Sequence, residues 1–331
     1  MPRDPAAAPT RAFCRDAGIP VPLLCGPMYP CSNPELVAAV SEAGGMGIVQ
    51  PMALTHVHGH GFREGLARIR ALTSRPVGLN ALVESSSRLY HKRMERWVDE
   101  ALEEGIRFFV TSLGKPGWVV DRARAAGVVV YHDVTERKWA LKALDAGVHG
   151  LIAVNRRAGG HAGAKGAEEL LDELSDLGVP VVCAGGVATP EEFARALALG
   201  YAGVQMGTRF IATIECRASA PYKQAILDAR EDDIVLTERI TGVPLAVIGT
   251  PWVRRLGTRA GPLARWMLRG RRTKRLMRTL YAVRSTRRLR LASLDEAGST
   301  ACWQAGRSVG GIREILPAGA IVRACAAAAI R

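Results

Sequence analysis

Two glycine-centred loops set the strongest limit on what this chain can fold into: Ala184-Gly185-Gly186-Val187 and Gln205-Met206-Gly207-Thr208-Arg209-Phe210. Each follows an apolar run that reads as a strand, Val179–Cys183 before the first and Gly203–Met206 before the second. Between them, Thr189-Pro190-Glu191-Glu192-Phe193 carries the chemistry of a helix start, with Thr189 as N-cap, Pro190 at the first helical position and two acids in the first turn. Ala196, Leu197 and Leu199 continue the apolar face, and Gly200 stops the helix. Strand, Gly-Gly, helix, strand, Gly-Thr is the order in which a (β/α)8 barrel builds an anion site after its last two strands. Glycine lets backbone N–H groups approach a phosphate closely, and the Thr208 hydroxyl adds a donor. A single tight βα turn would use glycine without any ligand; two loops in this arrangement favour phosphate binding.

The preceding residues repeat the same rhythm. Val21–Leu24, Gly47–Val49, Val77–Asn80, Phe108–Val110, Val128–His132 and Gly150–Val154 read as strands. Helical patterns separate them: Pro34–Ala43 with Asn33 as its cap, Phe62–Leu72, Leu89–Glu104, Trp118–Ala126, a helix capped by Thr135 and running to Ala146, and Ala167–Leu177. Gly105, Gly127, Gly147, Gly178 and Gly200 stand where helices give way to strands, the usual C-terminal stop. Eight strand–helix alternations in about 210 residues predict a (β/α)8 TIM barrel over residues 1–214 rather than an open sheet. After Ile214 the rhythm breaks. Residues 215–299 carry helical patterns and one short apolar piece, Leu245–Ile248, and read as a helical lid subdomain. The Ala-rich segment within 300–331 reads as a helix returning to the barrel.

Charge is distributed unevenly. Fourteen of the 45 Lys and Arg residues fall within 253–290, which has no Asp or Glu, so the rest of the chain is neutral with 31 bases against 31 acids. Leu256, Leu263, Trp266, Met267, Leu276, Met277, Leu280 and Tyr281 interleave with the charges, as in an amphipathic helical region. Three uses stand open: a solvated lid face over an anion site, attraction to an anionic membrane or acidic carrier protein, and nucleic-acid binding. Base-reading modules are missing, so no nucleic-acid partner is expected. No apolar stretch reaches membrane-spanning length. The N-terminal twenty residues lack the apolar region of a signal peptide. The seven cysteines are scattered and odd in number, with no Cys-x-x-Cys pair. Reduced thiols in a cytoplasmic protein are expected, without a disulfide framework or a zinc site.

Barrel active sites lie at the C-terminal ends of the strands. Asn155-Arg156-Arg157-Ala158-Gly159-Gly160-His161-Ala162-Gly163 places one imidazole in a side-chain-poor loop just before the phosphate loops. Flanking glycines leave room for a ligand, and His161 can act as acid, base or donor near neutral pH. His132-Asp133, at the end of the fifth strand, is either a second polar pair of the site or a structural hydrogen bond. His56-x-His58-x-His60 has the alternating spacing of metal ligands but no acidic or thiol partner, so no metal is expected.

Gly26-Pro27-Met28, the run Pro34-Glu35-Leu36-Val37-Ala38-Ala39-Val40-Ser41-Glu42-Ala43-Gly44-Gly45-Met46-Gly47, the Ala158-Gly159-Gly160-His161-Ala162-Gly163 loop and the two glycine loops follow one another in an order that resembles the nitronate monooxygenase (2-nitropropane dioxygenase) family. The resemblance covers about residues 20–215, with a weaker echo in Trp303–Gly310. It implies a TIM barrel with a helical lid and non-covalently bound FMN. Gly185, Gly186, Gly207 and Thr208 would hold the phosphate, with Met28 against the isoalloxazine, Asn80 near the ring or ribityl chain and Gln205 beside the cofactor. His161 would be the catalytic residue, binding the nitro group or moving a proton. In that chemistry FMN takes an electron from an alkyl nitronate, O2 is reduced, and a carbonyl compound and nitrite leave. Asn155-Arg156-Arg157 and Tyr29-Pro30-Cys31 depart from the family pattern at positions expected to border the substrate pocket. Relatives of the same architecture reduce enoyl groups on acyl carrier protein, or quinones, with NAD(P)H; the basic lid suits those substrates, and a homodimer is compatible with either. Inosine-monophosphate dehydrogenases share paired phosphate loops but need a cysteine after the sixth strand, where this chain has His161. A barrel without flavin, used as a scaffold for a basic arm, is the non-catalytic alternative.

Overall fold

The structure, a computed structural model, describes residues 7–83, 88–261, 267, 273–295 and 302–329. Eight parallel strands close into a barrel in sequence order: β1 (Leu23–Cys25), β2 (Met46–Val49), β3 (Gly78–Leu82), β4 (Phe108–Ser112), β5 (Val129–Val134), β6 (Gly150–Val154), β7 (Val181–Ala184) and β8 (Gly203–Met206). β8 pairs back to β1 with Gln205 opposite Leu24 and Met206 opposite Cys25. Helices alternate with the strands: α1 (Ala7–Ala17) precedes β1, followed by α2 (Pro34–Glu42), α3 (Phe62–Leu72), α4 (Arg88–Glu103), α5 (Gly117–Ala125), α6 (Arg137–Asp145), α7 (Ala167–Leu174) and α8 (Pro190–Ala198). The (β/α)8 barrel foreseen from the alternation is the observed architecture.

Side chains alternate along each strand. Leu24, Met46, Ile48, Phe108, Val110, Tyr131, Ile152, Val182 and Ala184 fill the barrel interior. Leu23, Leu79, Phe109, Val130, Leu151, Cys183 and Val204 face the helices. The N-terminal helix α1, which carries no clear signal in the sequence, plugs the bottom of this interior. Phe13 is fully buried, with ring centroids 6.3 Å from Phe108 and 5.6 Å from Tyr131. The Tyr131 hydroxyl donates to Asp16 Oδ2 at 3.0 Å. Gly203 leaves the space Phe13 needs, since a Cβ there would lie 2.5 Å from its ring.

Local chemistry acts where it was expected at α8: Thr189 accepts from the Glu192 N–H at 3.2 Å, Glu192 reaches back to the Thr189 N–H, and Gly200 ends the turn at φ +110°. Two expected caps are not formed. The Asn33 amide instead donates to Glu35 and to the Glu215 carbonyl and accepts from the Arg217 N–H, so it ties the start of α2 to the chain beyond the barrel. Helix α6 begins after Glu136, leaving Thr135 outside it.

Beyond β8 the chain makes the one-turn helix α9 (Thr208–Ile211), then α10 (Ala220–Asp228), α11 (Pro251–Leu256), α12 (Thr273–Leu294) and α13 (Ala318–Ala329). The region is not purely helical: Leu245–Ile248 is strand β10, paired antiparallel with β9 (Ile234–Thr237). Of the apolar residues read into the basic segment, Leu263, Trp266 and the Leu276 side chain lie outside the described residues. Helix α13 packs on α8 and α2. Among the described residues no helix is long and apolar enough to cross a membrane. Phe13→Ala would leave a cavity at the barrel floor, and denaturant unfolding is expected to show a loss of about 3–5 kcal/mol. A loss under about 1 kcal/mol would mean that α1 is not part of the cooperative core.

Candidate functional site

Barrel closure places the first and last motifs side by side at the mouth. The Gly26 N–H donates to the Met206 carbonyl at 2.9 Å. The Gln205 side chain crosses Gly26 so tightly that a Cβ there would lie 2.9 Å from Gln205 Cγ. Met28 lies over Gly207, its Sδ 3.6 Å from where a Cβ would stand. Thr208 is buried, and its hydroxyl oxygen accepts from the Gly306 N–H at 2.9 Å, so its own proton is still free for an anion. In the loop after the neighbouring strand β7, Gly185 and Gly186 adopt φ +114° and +81°, a backbone that other residues resist. Asn155, fully buried, braces this loop by donating to the Gly185 carbonyl at 2.9 Å while accepting from the Arg157 N–H at 2.8 Å.

Arg157, from one of the departing segments, lies against the Gly185-Gly186 loop: a Cβ on Gly186 would stand 2.5 Å from Arg157 Nε. Its guanidinium pairs with Glu231 at 2.6 Å. Tyr29, from the other departing segment, bonds through its hydroxyl to the Thr286 carbonyl of α12 at 2.9 Å.

The His161 loop is held by the elements that follow the barrel. Gly160, at φ +71°, exchanges both backbone hydrogen bonds with Ala246 of β10. Gly306 packs so closely on Arg157 and Gly159 that a Cβ would lie 2.6 Å from the Gly159 nitrogen. Gln304 donates to the Tyr29 carbonyl at 3.0 Å. His161 itself reaches solvent, yet enough protein surrounds it for desolvation to lower its pKa below the usual histidine value. It is therefore mostly neutral near pH 7.

Strand periodicity separates the His132-Asp133 pair. Both lie within β5 rather than at its end. His132 shares the outward face with Thr111, whose hydroxyl donates to the Tyr131 carbonyl at 3.1 Å; the 2.8 Å contact to His132 Nδ1 must then run from the ring N–H to Thr111. Burial pushes the His132 pKa down to about 4. Its role is structural. Asp133 has the inward parity of Tyr131 and stands one step higher, in the mouth. Its Oδ1 and the Oε1 of Gln205 are buried without a hydrogen-bond partner. Asn80 is also buried, on β3 across the mouth from β7, and donates to the Val110 carbonyl at 3.2 Å. His56, His58 and His60 take separate partners, Arg93, the Pro30 carbonyl and Glu64. Among the described residues no group of acidic, thiol and imidazole side chains is placed to hold a metal ion.

The mouth thus combines a glycine-lined cradle at β7 and β8, two inward oxygens lacking donors and a neutral imidazole at the rim. Asp133, Asn155 and Arg157 are the residues that motif reading undervalued; only the period-two parity of β5 could have singled out Asp133. Burial raises the Asp133 pKa from 3.8 to about 7. The folded protein then binds a proton that the unfolded chain releases, so stability falls as pH rises from about 4 to 7 and levels above that. Asp133→Asn is expected to flatten this decline in thermal scans across the same window; an undiminished decline would assign it to other groups.

A family model described as Nitronate monooxygenase matches residues 13–325. An octahydro-1H-indene-4-carboxyl-CoA dehydrogenase of Rhodococcus jostii is 30% identical over 240 residues, covering 72% of this chain and 65% of that protein's length. A probable nitronate monooxygenase of Staphylococcus saprophyticus is 26% identical over 71% of this chain and 77% of its own. Among solved structures, FabK from Thermotoga maritima superposes with a TM-score of 0.77 at 28% identity, over 97% of this chain and 96% of that one. A nitroalkane oxidase from Streptomyces ansochromogenes gives 0.74 at 26%, over 96% and 98%. With an eight-stranded parallel barrel and a family model that spans nearly its whole length, this chain belongs to the nitronate monooxygenase family of oxidoreductases.

Proposed function

We propose that the protein is an FMN-dependent oxidoreductase that oxidises alkyl nitronates with O2 to a carbonyl compound and nitrite. The observation that carries this reading is the pair of buried, unpartnered oxygens, Gln205 Oε1 and Asp133 Oδ1, in a barrel mouth beside a glycine cradle. Such oxygens are costly unless a bound group supplies donors, and the ring amide of a flavin is a donor of that kind. The residues present therefore fit the cofactor the family implies.

In this reading Gly185, Gly186, Gly207 and Thr208 hold the FMN phosphate, while Met28, Asn80 and Gln205 line the ring and ribityl chain. Bound FMN supplies the electron acceptor for the substrate carbon and the route of electrons to O2. His161 donates a hydrogen bond to the nitro oxygens through its ring N–H and, being neutral near pH 7, accepts the α-proton when a nitroalkane binds. Described residues within 215–299 act as the lid. They hold the His161 loop through Gly160 and Ala246, and they keep bulk water from the substrate.

A second reading has a specific support: the Rhodococcus relative is named for a carboxyl-CoA substrate, and this chain concentrates its surplus positive charge in the lid. In that case an acyl thioester takes the place of the nitronate, with NAD(P)H as the second reactant. Anaerobic mixing decides between them: ethyl nitronate should bleach the 450 nm flavin band and NADPH alone should not, whereas rapid bleaching by NADPH alone would reject the oxygenase assignment.

Two substitutions test the site. Gly207→Ala meets only Met28, at ordinary van der Waals distance. Unfolding free energy should stay within about 0.5 kcal/mol of the parent, while FMN affinity should fall at least about tenfold; unaltered affinity would move the phosphate elsewhere. His161→Ala should retain flavin and lose about 10²–10⁴ in turnover, and undiminished turnover would remove His161 from the mechanism.

A further inference from the structure

Most arginines on the barrel helices are paired with carboxylates: Arg63 with Glu103 and Glu104, Arg96 with Glu100, Arg122 with Glu95 and Asp99, Arg137 with Asp176. Arg93 is different. Its guanidinium lies 5.9 Å from the Trp97 ring centroid and gives its Nη1 proton to His56 Nε2 at 2.8 Å. That histidine is held in the matching tautomer. The Thr55 hydroxyl donates to the Pro51 carbonyl at 2.8 Å, so the 2.7 Å contact between Thr55 and His56 Nδ1 runs from the ring N–H, which leaves Nε2 as the acceptor. A neutral imidazole thus orients Arg93 without cancelling its charge.

Arg290 brings a second cation to the same place. The Tyr29 hydroxyl bonds to the Thr286 carbonyl, and Arg290 follows one helical turn later on the same side of α12. Its charge acts on both Tyr29 and the His56 ring. Among the described residues neither Arg93 nor Arg290 has a carboxylate partner, and Arg290 is exposed. Arg93, pre-oriented by His56, and Arg290, one turn past the Tyr29 contact on α12, therefore stand on the same side of the rim, where His58 Nε2 also meets the Pro30 carbonyl at 3.2 Å. Carboxylates would neutralise such a pair in a purely structural role. A phosphate supplies two to four charge-assisted hydrogen bonds instead.

We propose that Arg93 and Arg290, with His56 as the positioning residue for Arg93, form a phosphate subsite on the rim of the barrel mouth, which binds the phosphate of a nucleotide-bearing reactant whose reactive end enters the mouth. Coenzyme A thioesters and NADPH share this chemistry, each carrying a ribose phosphate at the far end from its reactive group. The inference rests on the flavin site and on the second of the two readings above, in which the reactant is an acyl thioester or NAD(P)H rather than a free nitronate, so flavin occupancy and ethyl nitronate turnover are to be read in the same samples.

The test is a titration of the flavin-loaded protein with coenzyme A, dephospho-coenzyme A, NADPH and NADH, followed by calorimetry and by perturbation of the flavin spectrum. One phosphorylated member should bind at least about tenfold more tightly than its dephospho partner, with an affinity that falls as salt rises; which pair shows the preference identifies the reactant. Arg93→Ala and Arg290→Ala should each abolish that preference with flavin content unchanged, and Arg290→Lys should restore part of it. His56→Gln, which keeps an acceptor for Arg93, should retain more of the preference than His56→Ala. No preference in either pair, or a preference that survives both arginine substitutions, would overturn the subsite. Loss of flavin from the parent protein would instead mark a failure of the flavin reading.

Discussion

The pairing of β8 with β1 is the constraint on which the site depends. It sets Gln205 opposite Leu24 and lets the Gly26 N–H bond to the Met206 carbonyl, so two motifs almost two hundred residues apart become one wall. Glycine at 26 is required by the Gln205 side chain that crosses it. A parallel barrel cannot close without packing its interior, and here the floor is sealed by Phe13 against Phe108 and Tyr131. Above that sealed floor, inward positions need not be apolar. Asn80, Asp133 and Gln205 stand there, and polar groups with unmet bonding capacity can collect at the mouth without undermining the core.

A second layer of control comes from the chain after the barrel. Loops that carry catalytic groups are mobile unless something ties them down. The His161 loop is tied twice, through the backbone exchange of Gly160 with Ala246 and through Gly306 against Arg157 and Gly159. Tyr29 and Gln304 extend the tie to the β1 loop, and Tyr29 continues it to α12. The His161 loop and the β1 loop therefore share one set of supports, and α12 is tied to the same mouth through Tyr29.

The legible features were those decided within a few residues. The Thr189 capping box, Pro190 at the helix start and the glycine stops act through local hydrogen bonds and backbone sterics, so no distant partner overrides them. Asn33 and Thr135 have equally good capping chemistry, but Asn33 has better partners in Glu215 and Arg217, and α6 starts after Glu136. Leu245–Ile248 reads in the sequence only as a short apolar piece, because each strand of the β9–β10 pair has four residues and its value lies in pairing with Gly160 and Gln304, which no local pattern announces. Helix α1 owes its place to one aromatic plug. Likewise Arg157 reads as a loop charge until Gly186 is seen beneath it.

Period and glycine placement alone determined the class of the fold, the order of its strands and the end of the barrel where chemistry belongs, because these follow from backbone geometry that every residue obeys. The two glycine loops and the histidine loop were likewise recognisable as motifs. What only the tertiary structure decided was which polar atoms end without a partner. Asp133 and His132 are neighbours in the chain with similar polarity; one is satisfied by Thr111 behind the barrel, and the other is left facing the mouth. Arg93 is one of many arginines until its bond to His56 sets it apart, and Arg290 until α12 carries it past Tyr29. Bonding deficits and charge convergence depend on distances between segments remote in sequence, and a linear pattern does not contain them.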